Sequence, residues 1–124
     1  MGHGDEIVIA DGNFPAVTCA QRLARCDGHS VPPLLDAILE LFPLDEYVDN
    51  PVALMAVVPG DDTPTPPIWK EYERILQKHG HLPDKVEQID RFAFYDRAKE
   101  AFAVVATGES AIYANVLLKK GVIK

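Results

Sequence analysis

Ile7-Val8-Ile9-Ala10 restricts the fold more than any other segment: four apolar residues in a row, three of them β-branched, closed by Asp5-Glu6 before and Asp11-Gly12-Asn13 after. A strand without polar alternation is covered on both faces, the condition of a parallel sheet with helices above and below. The flanking segments fit that frame. Arg22 to Cys26 reads as a second strand ending at the turn signal Asp27-Gly28. Ser30 offers an N-cap, Pro32 and Pro33 suit a first helical turn, and Leu34, Leu35, Ile38, Leu41 and Phe42 recur at helical spacing until Pro43 stops the helix. Pro51 to Val58 reads as another buried strand, and 59–67 as a polar, proline-studded loop. Ile68, Trp69, Tyr72, Ile75, Leu76 and His79 mark one face of a second helix, capped at Thr65 and closed by Gly80. Strands over Lys85–Asp90, Ala103–Thr107 and Tyr113–Leu118, with a helix over Phe92–Lys99, complete the chain. The pattern predicts an α/β fold: one layered domain over 1–124, with a central, at least partly parallel sheet flanked by helices.

Composition narrows the partners. Twelve basic side chains against nineteen acidic ones give a net charge of −7, which repels phosphate backbones and anionic lipid, so neither nucleic acid nor a membrane surface is expected. The longest apolar runs fall far short of the roughly 20 residues a bilayer span needs. The start, M-G-H-G-D-E-I-V, has no basic region or apolar core of a secretory signal, and the cytoplasm is the expected compartment. Cys19 and Cys26 match neither a redox pair nor a zinc pattern and are expected as reduced, partly buried thiols.

The polar residues each admit a structural and a functional explanation. His3 lies between two glycines and two residues before Asp5; in extended chain such positions share a side, bringing imidazole and carboxylate within reach. Asp11 sits just past the first strand, where ligands collect in open α/β sheets, but an aspartate capping the Gly12-Asn13 bend needs no ligand. Asp45 and Tyr47 follow the stop at Pro43, where a cap or loop carboxylate suffices. Arg91 and Tyr95 are four apart and share a helix face within an aromatic cluster. Tyr113 and Asn115 alternate on the last strand, opposite Val116 and Leu118, and should leave the core together. His79-x-His81 lacks a third metal ligand at a telling spacing, and Asp61-Asp62 reads as a solvated loop, so no metal site is expected. Phosphate-binding loops, the dinucleotide fingerprint, the serine-esterase elbow and the zinc-protease motif are all absent from the sequence.

Five ordered blocks give a further handle: M-G-H-G-D-E-I-V-I-A-D at the start, N-F-P-A at 13–16, P-L-D-E-Y at 43–47, R-F-A-F-Y-D-R-A at 91–98, and the closing A-T-G-E-S-A-I-Y-A-N-V-L-L-K-K-G-V. Together they resemble the family shared by D-ribose pyranase and fucose mutarotase, and the arginine-aromatic block tilts the likeness toward the fucose branch. The resemblance begins at the M-G-H-G-D block, so the helix that precedes it in the family is expected to be missing here. It implies an α/β fold, cofactor-independent mutarotation of a free monosaccharide, and a homo-oligomer with sites near subunit boundaries. Carried over by motif position, His3 would be the proton donor, Asp11, Arg91, Tyr113 and Asn115 would hold the sugar, and Asp45 and Tyr95 would be further proton-handling groups. Imidazole suits that chemistry, because anomer exchange consists of proton transfers at neutral pH. Ribose pyranase activity, or a silent sugar-binding or regulatory subunit, are the alternatives.

Overall fold

The structure, a computed structural model, describes residues 1–62, 65–81 and 83–123. Its elements run β1 (Glu6–Ala10), α1 (Ala16–Cys19), β2 (Leu23–Cys26), α2 (Val31–Leu39), β3 (Val52–Met55), α3 (Ile68–Lys78), a 3-10 turn (Pro83–Lys85), β4 (Val86–Ile89), α4 (Arg91–Glu100), β5 (Ala103–Thr107) and β6 (Val116–Lys119). The six strands form one sheet in the order β2-β5-β1-β6-β3-β4. β1, β2, β3, β4 and β5 point one way, and only β6 runs against them, between β1 and β3. The expected α/β layering, with a mostly parallel sheet, is what the chain adopts.

β1 lies mid-sheet, and its alternating side chains feed both layers. Ile7 and Ile9 join Val52, Leu54, Val116 and Leu118 under α2 and α3. Val8 and Ala10 join Ala53, Leu117, Val104 and Ala106 under α1 and α4. Fully buried Ile9 contributes about 1.5–3 kcal/mol on its own, so the run that opens the sequence also anchors both halves of the core. α3 presents Ile68, Trp69, Tyr72, Ile75 and Leu76 inward, the face its periodicity predicts. Asp90 caps α4 by accepting from the backbone N–H groups of Phe92 and Ala93.

Several elements depart from their expected extent. α2 ends at Leu39, before Phe42, because the Leu41 N–H closes a tight bond to the Ile38 carbonyl ahead of Pro43; Leu41 is left 87% exposed. β3 ends at Met55, short of Val58. Within the loop read over 59–67, positions 63 and 64 lie outside the described residues. The single turn α1 carries no helical period long enough to be read from sequence. Cys19 and Cys26 are free thiols, Cys19 buried. No helix among the described residues is long and apolar enough to cross a membrane.

Candidate functional site

Because five strands run parallel, their carboxyl ends share one edge of the sheet, and a cavity of about 190 Å³ opens there. Asp11 and Phe14 reach it from beyond β1, Met55 from the end of β3, Tyr95 from α4, and Tyr113 and Asn115 from the segment entering β6. Four of the seven residues singled out from sequence therefore meet in one place. Phe14 and Met55 were missed, since an aromatic and a methionine in apolar surroundings are indistinguishable from core by pattern.

Asp11 is 6% exposed. Its Oδ1 accepts the Asn13 N–H at 3.0 Å and its Oδ2 the Ala114 N–H at 3.4 Å, while its own N–H donates to Asn115 Oδ1 at 2.7 Å. Burial raises its pKa above the ordinary carboxylate value, opposed by the backbone N–H groups and reinforced weakly by the negative charge of Glu109. The aspartate closes its own bend and also lines the cavity.

Tyr113 and Asn115 do not alternate on a strand, as expected. Tyr113 has φ 54, the left-handed region that a bulky residue rarely adopts, and β6 starts only at Val116. Asn115 is buried, not solvent-facing. Two side chains of α3 hold this bend: Trp69 Nε1 donates to the Tyr113 carbonyl at 2.8 Å, and the Tyr72 hydroxyl donates to the Ala114 carbonyl at 2.6 Å. The Tyr113 hydroxyl donates to Asp61 at 2.8 Å and accepts the Val58 N–H at 3.2 Å, tying down the loop after β3. Asp61 is exposed but engaged, so it is more than the solvated loop residue expected.

His3 is at the other edge. The five residues of β1 alone separate it from Asp11 by about 16 Å. The pairing expected with Asp5 does not form, because residues 2–5 make a turn: the Asp5 N–H donates to the Gly2 carbonyl, Gly4 takes φ 87, and the Asp5 carboxylate accepts the Gly2 N–H. His3 Nε2 instead lies 3.3 Å from Asp45 Oδ1, with the Tyr47 ring 5.6 Å from the imidazole. Asp45 is 5% exposed, and the Tyr47 N–H donated to its Oδ1, followed by His3, holds its carboxyl below the usual range. Main-chain bonds strap this loop to β6 and the residues after it, Asp45 N–H to the Lys119 carbonyl and Gly121 N–H to that of Pro43.

Arg91 lies in neither group. It opens α4 at the cavity's edge of the sheet, exposed, its guanidinium 4.9 Å from the Phe92 ring centre. His79 Nε2 lies 2.7 Å from Asp36, whose carboxylate also receives Lys78 Nζ. Asp36, Glu40 and His79 converge within 4.8 Å, but the lysine ammonium already occupies the carboxylate a cation would need.

Residues 1–123 match the model of the RbsD / FucU transport protein family. The chain belongs to that family. Fucose mutarotase of Homo sapiens, another relative, is 52% identical over 128 residues, covering 99% of this chain and 82% of that protein. L-fucose mutarotase of Actinobacillus pleuropneumoniae is 49% identical over 122 residues, covering 98% and 84%. Within the family, the crystal structure of fucose mutarotase from Streptococcus pneumoniae in complex with L-fucose superposes with a TM-score of 0.96 at 52% identity, over 100% of this chain and 87% of that one.

Proposed function

We propose that this protein interconverts the α and β anomers of L-fucose by general acid–base ring opening. The observation that carries the reading is the convergence of Asp11, Tyr95, Tyr113 and Asn115 on one small cavity, in a chain about half identical to proteins named for that activity. A neutral sugar needs directional hydrogen bonds to its hydroxyls and an apolar wall for its ring. The Asp11 carboxylate accepts. Asn115, its Oδ1 taken by the Asp11 N–H, has its NH2 to offer. Phe14, Met55 and the rings of Tyr95 and Tyr113 make the wall. Arg91, at the same edge of the sheet, closes over a hydroxyl from outside.

Ring opening requires a proton on the ring oxygen and loss of the anomeric hydroxyl proton; the open-chain aldehyde then rotates about its C1–C2 bond and recloses. His3 supplies and recovers the proton, Asp45 orients its imidazole and stabilises the cation, and Tyr95 serves the hydroxyl side. Such catalysis is worth about 10²–10⁴-fold and calls for no cofactor. Within one chain the donor and the cavity are at opposite edges, so the working unit is a homo-oligomer in which His3 of one copy, backed by its own Asp45, enters the cavity of the next. Exposed apolar side chains flank both regions, Tyr47 and its neighbour Val122 on the His3 side, and Val58, Phe92 and Ile112 beside the cavity, as expected of surfaces that meet. Free thiols suit the reducing cytoplasm as its compartment.

Saturation-exchange NMR tests this directly. L-fucose anomers should exchange faster with the protein present while D-ribose ring forms do not; ribose exchange alone would reassign the activity, and fucose binding without exchange would make this a silent binding subunit. His3→Ala and Asp11→Asn should each abolish exchange, and mixing them through reassembly should restore about a quarter of the sites, because a head-to-tail contact unites an intact His3 with an intact Asp11 in one pairing of four. No recovery would remove the shared site.

A further inference from the structure

Glu109 is a nearly buried carboxylate, 9% exposed, to which the sequence pattern assigned nothing. Its Oε1 accepts the N–H of Val31, the first residue of α2, at 3.0 Å, and its Oε2 accepts the Ala111 N–H at 3.1 Å. Its carbonyl accepts the Gly12 N–H at 2.8 Å. Its own N–H donates to Thr107 Oγ1 at 3.1 Å, and that hydroxyl donates to the Ala10 carbonyl at 2.7 Å. The residues on either side of Asp11 are thus both fastened to Glu109, one directly and one through Thr107. A β-carbon at Gly12 would sit 3.0 Å from the Glu109 carbonyl oxygen, so any larger residue there would press the two segments apart by a few tenths of an ångström.

We infer that Glu109 is a positioning residue for the sugar cavity: its side chain and peptide unit lock the segments carrying Asp11 and Tyr113 to each other and to the first turn of α2. The inference rests on the proposed sugar site and adds to it the residue that sets the geometry from behind. Glu109 does not line the cavity that Asp11 enters; it acts through Gly12 and Ala111. Both of its carboxylate oxygens are held by backbone N–H groups, one of them in the first turn of α2. A fixed negative charge then bears on Asp11, whose other titratable neighbours are Tyr72 of α3, held protonated by burial, and the cavity phenols Tyr95 and Tyr113. Glu109 therefore has two separable effects, one on the placement of Asp11 and one on the pH at which Asp11 takes a proton.

The experiment is L-fucose anomer exchange measured by NMR from pH 4 to pH 8 on the full chain. Glu109→Gln should raise KM about tenfold, the worth of one lost hydrogen bond, and should move the acid-side loss of activity to lower pH. Glu109→Asp, which keeps the charge but withdraws the carboxylate, and Thr107→Val, which cuts the link to Ala10, should raise KM with the acid limb unmoved. A merely structural role would lower thermal stability in all three without separating their pH profiles. Glu109→Gln with wild-type KM and acid limb overturns the inference; if that variant does not fold, wild-type KM in both other variants overturns it. A wild-type protein without exchange overturns the sugar reading itself, which is a different result.

Discussion

The two ends of β1 carry the two halves of the proposed site, and they are built differently. Beyond Ala10, Asp11 is buried, bonded through its backbone and both carboxylate oxygens, and backed by Glu109, Trp69 and Tyr72. Before Glu6, His3 is 48% exposed on a short turn and meets the rest of the chain through one carboxylate at 3.3 Å and one tilted ring. A pocket that must hold a neutral sugar gains from groups fixed in advance. A proton donor delivered to another copy's pocket stays at the surface until the copies meet. On the proposed reading, the contrast separates binding, complete within one chain, from proton transfer, completed by assembly.

Each end also has a glycine where the backbone passes another backbone closely, and substitution there should break the comparison most severely. A β-carbon on Gly108 would lie 2.2 Å from the Asp27 carbonyl oxygen, and one on Gly121 would lie 2.5 Å from that of Leu44. Neither neighbour is a flexible side chain, so main chain must move. Gly108→Ala and Gly121→Ala should each cost about 3 kcal/mol in chemical denaturation, a large fraction of a small domain's stability. In the folded fraction, Gly108→Ala should weaken fucose binding, whereas Gly121→Ala should spare binding and slow exchange by displacing Asp45. Equal losses of affinity in both would deny that the ends act separately.

A smaller effect sharpens the binding half. Trp69→Phe removes the donor to the Tyr113 carbonyl while retaining an aromatic ring in the core. The left-handed residue then loses one of its clamps, at a cost of about 1–2 kcal/mol. Fucose affinity should fall, and the His3→Ala defect should be the same fold-change in either background. Coupling between the two changes would mean that the α3 clamp reaches the proton donor.

The sheet was legible because β1 is apolar on both faces and α3 repeats every turn, so the local pattern and the tertiary environment agree. Asp11 was legible from its place after a buried strand. Tyr113 and Asn115 were singled out and do line the cavity, but their geometry was misread, since alternation assumes extended backbone and Tyr113 takes φ 54. What allows that bend, the bonds from Trp69 and Tyr72, spans more than forty residues and leaves no local trace. The same holds for His3 and Asp45, which are 42 apart; the nearer Asp5 looked the better partner until the turn at Gly4 redirected the chain. Glu109 was invisible because a buried carboxylate serving backbone N–H groups has no sequence pattern of its own.

The smallest expected effect is also the one that opposes the two ends in sign. Asp45 is held below the usual carboxylate range, first by the Tyr47 N–H and then by His3. Its contribution to stability is present above the unfolded value near pH 4 and is lost as pH falls through the folded value. Asp11 is raised, first by burial. Its contribution is greatest below about pH 4, where both states are protonated, and declines as pH climbs through the folded value, because the ionised form is the one burial disfavours. Denaturation midpoints of Asp45→Asn and Asp11→Asn, measured against wild type from pH 3 to pH 7 at one protein concentration, should therefore diverge. The Asp45→Asn deficit should narrow toward acid and the Asp11→Asn deficit toward neutrality. Deficits that narrow in the same direction would show that the two carboxylates share one environment, and the division of the strand into a fixed binding end and a delivered proton end would fail with them.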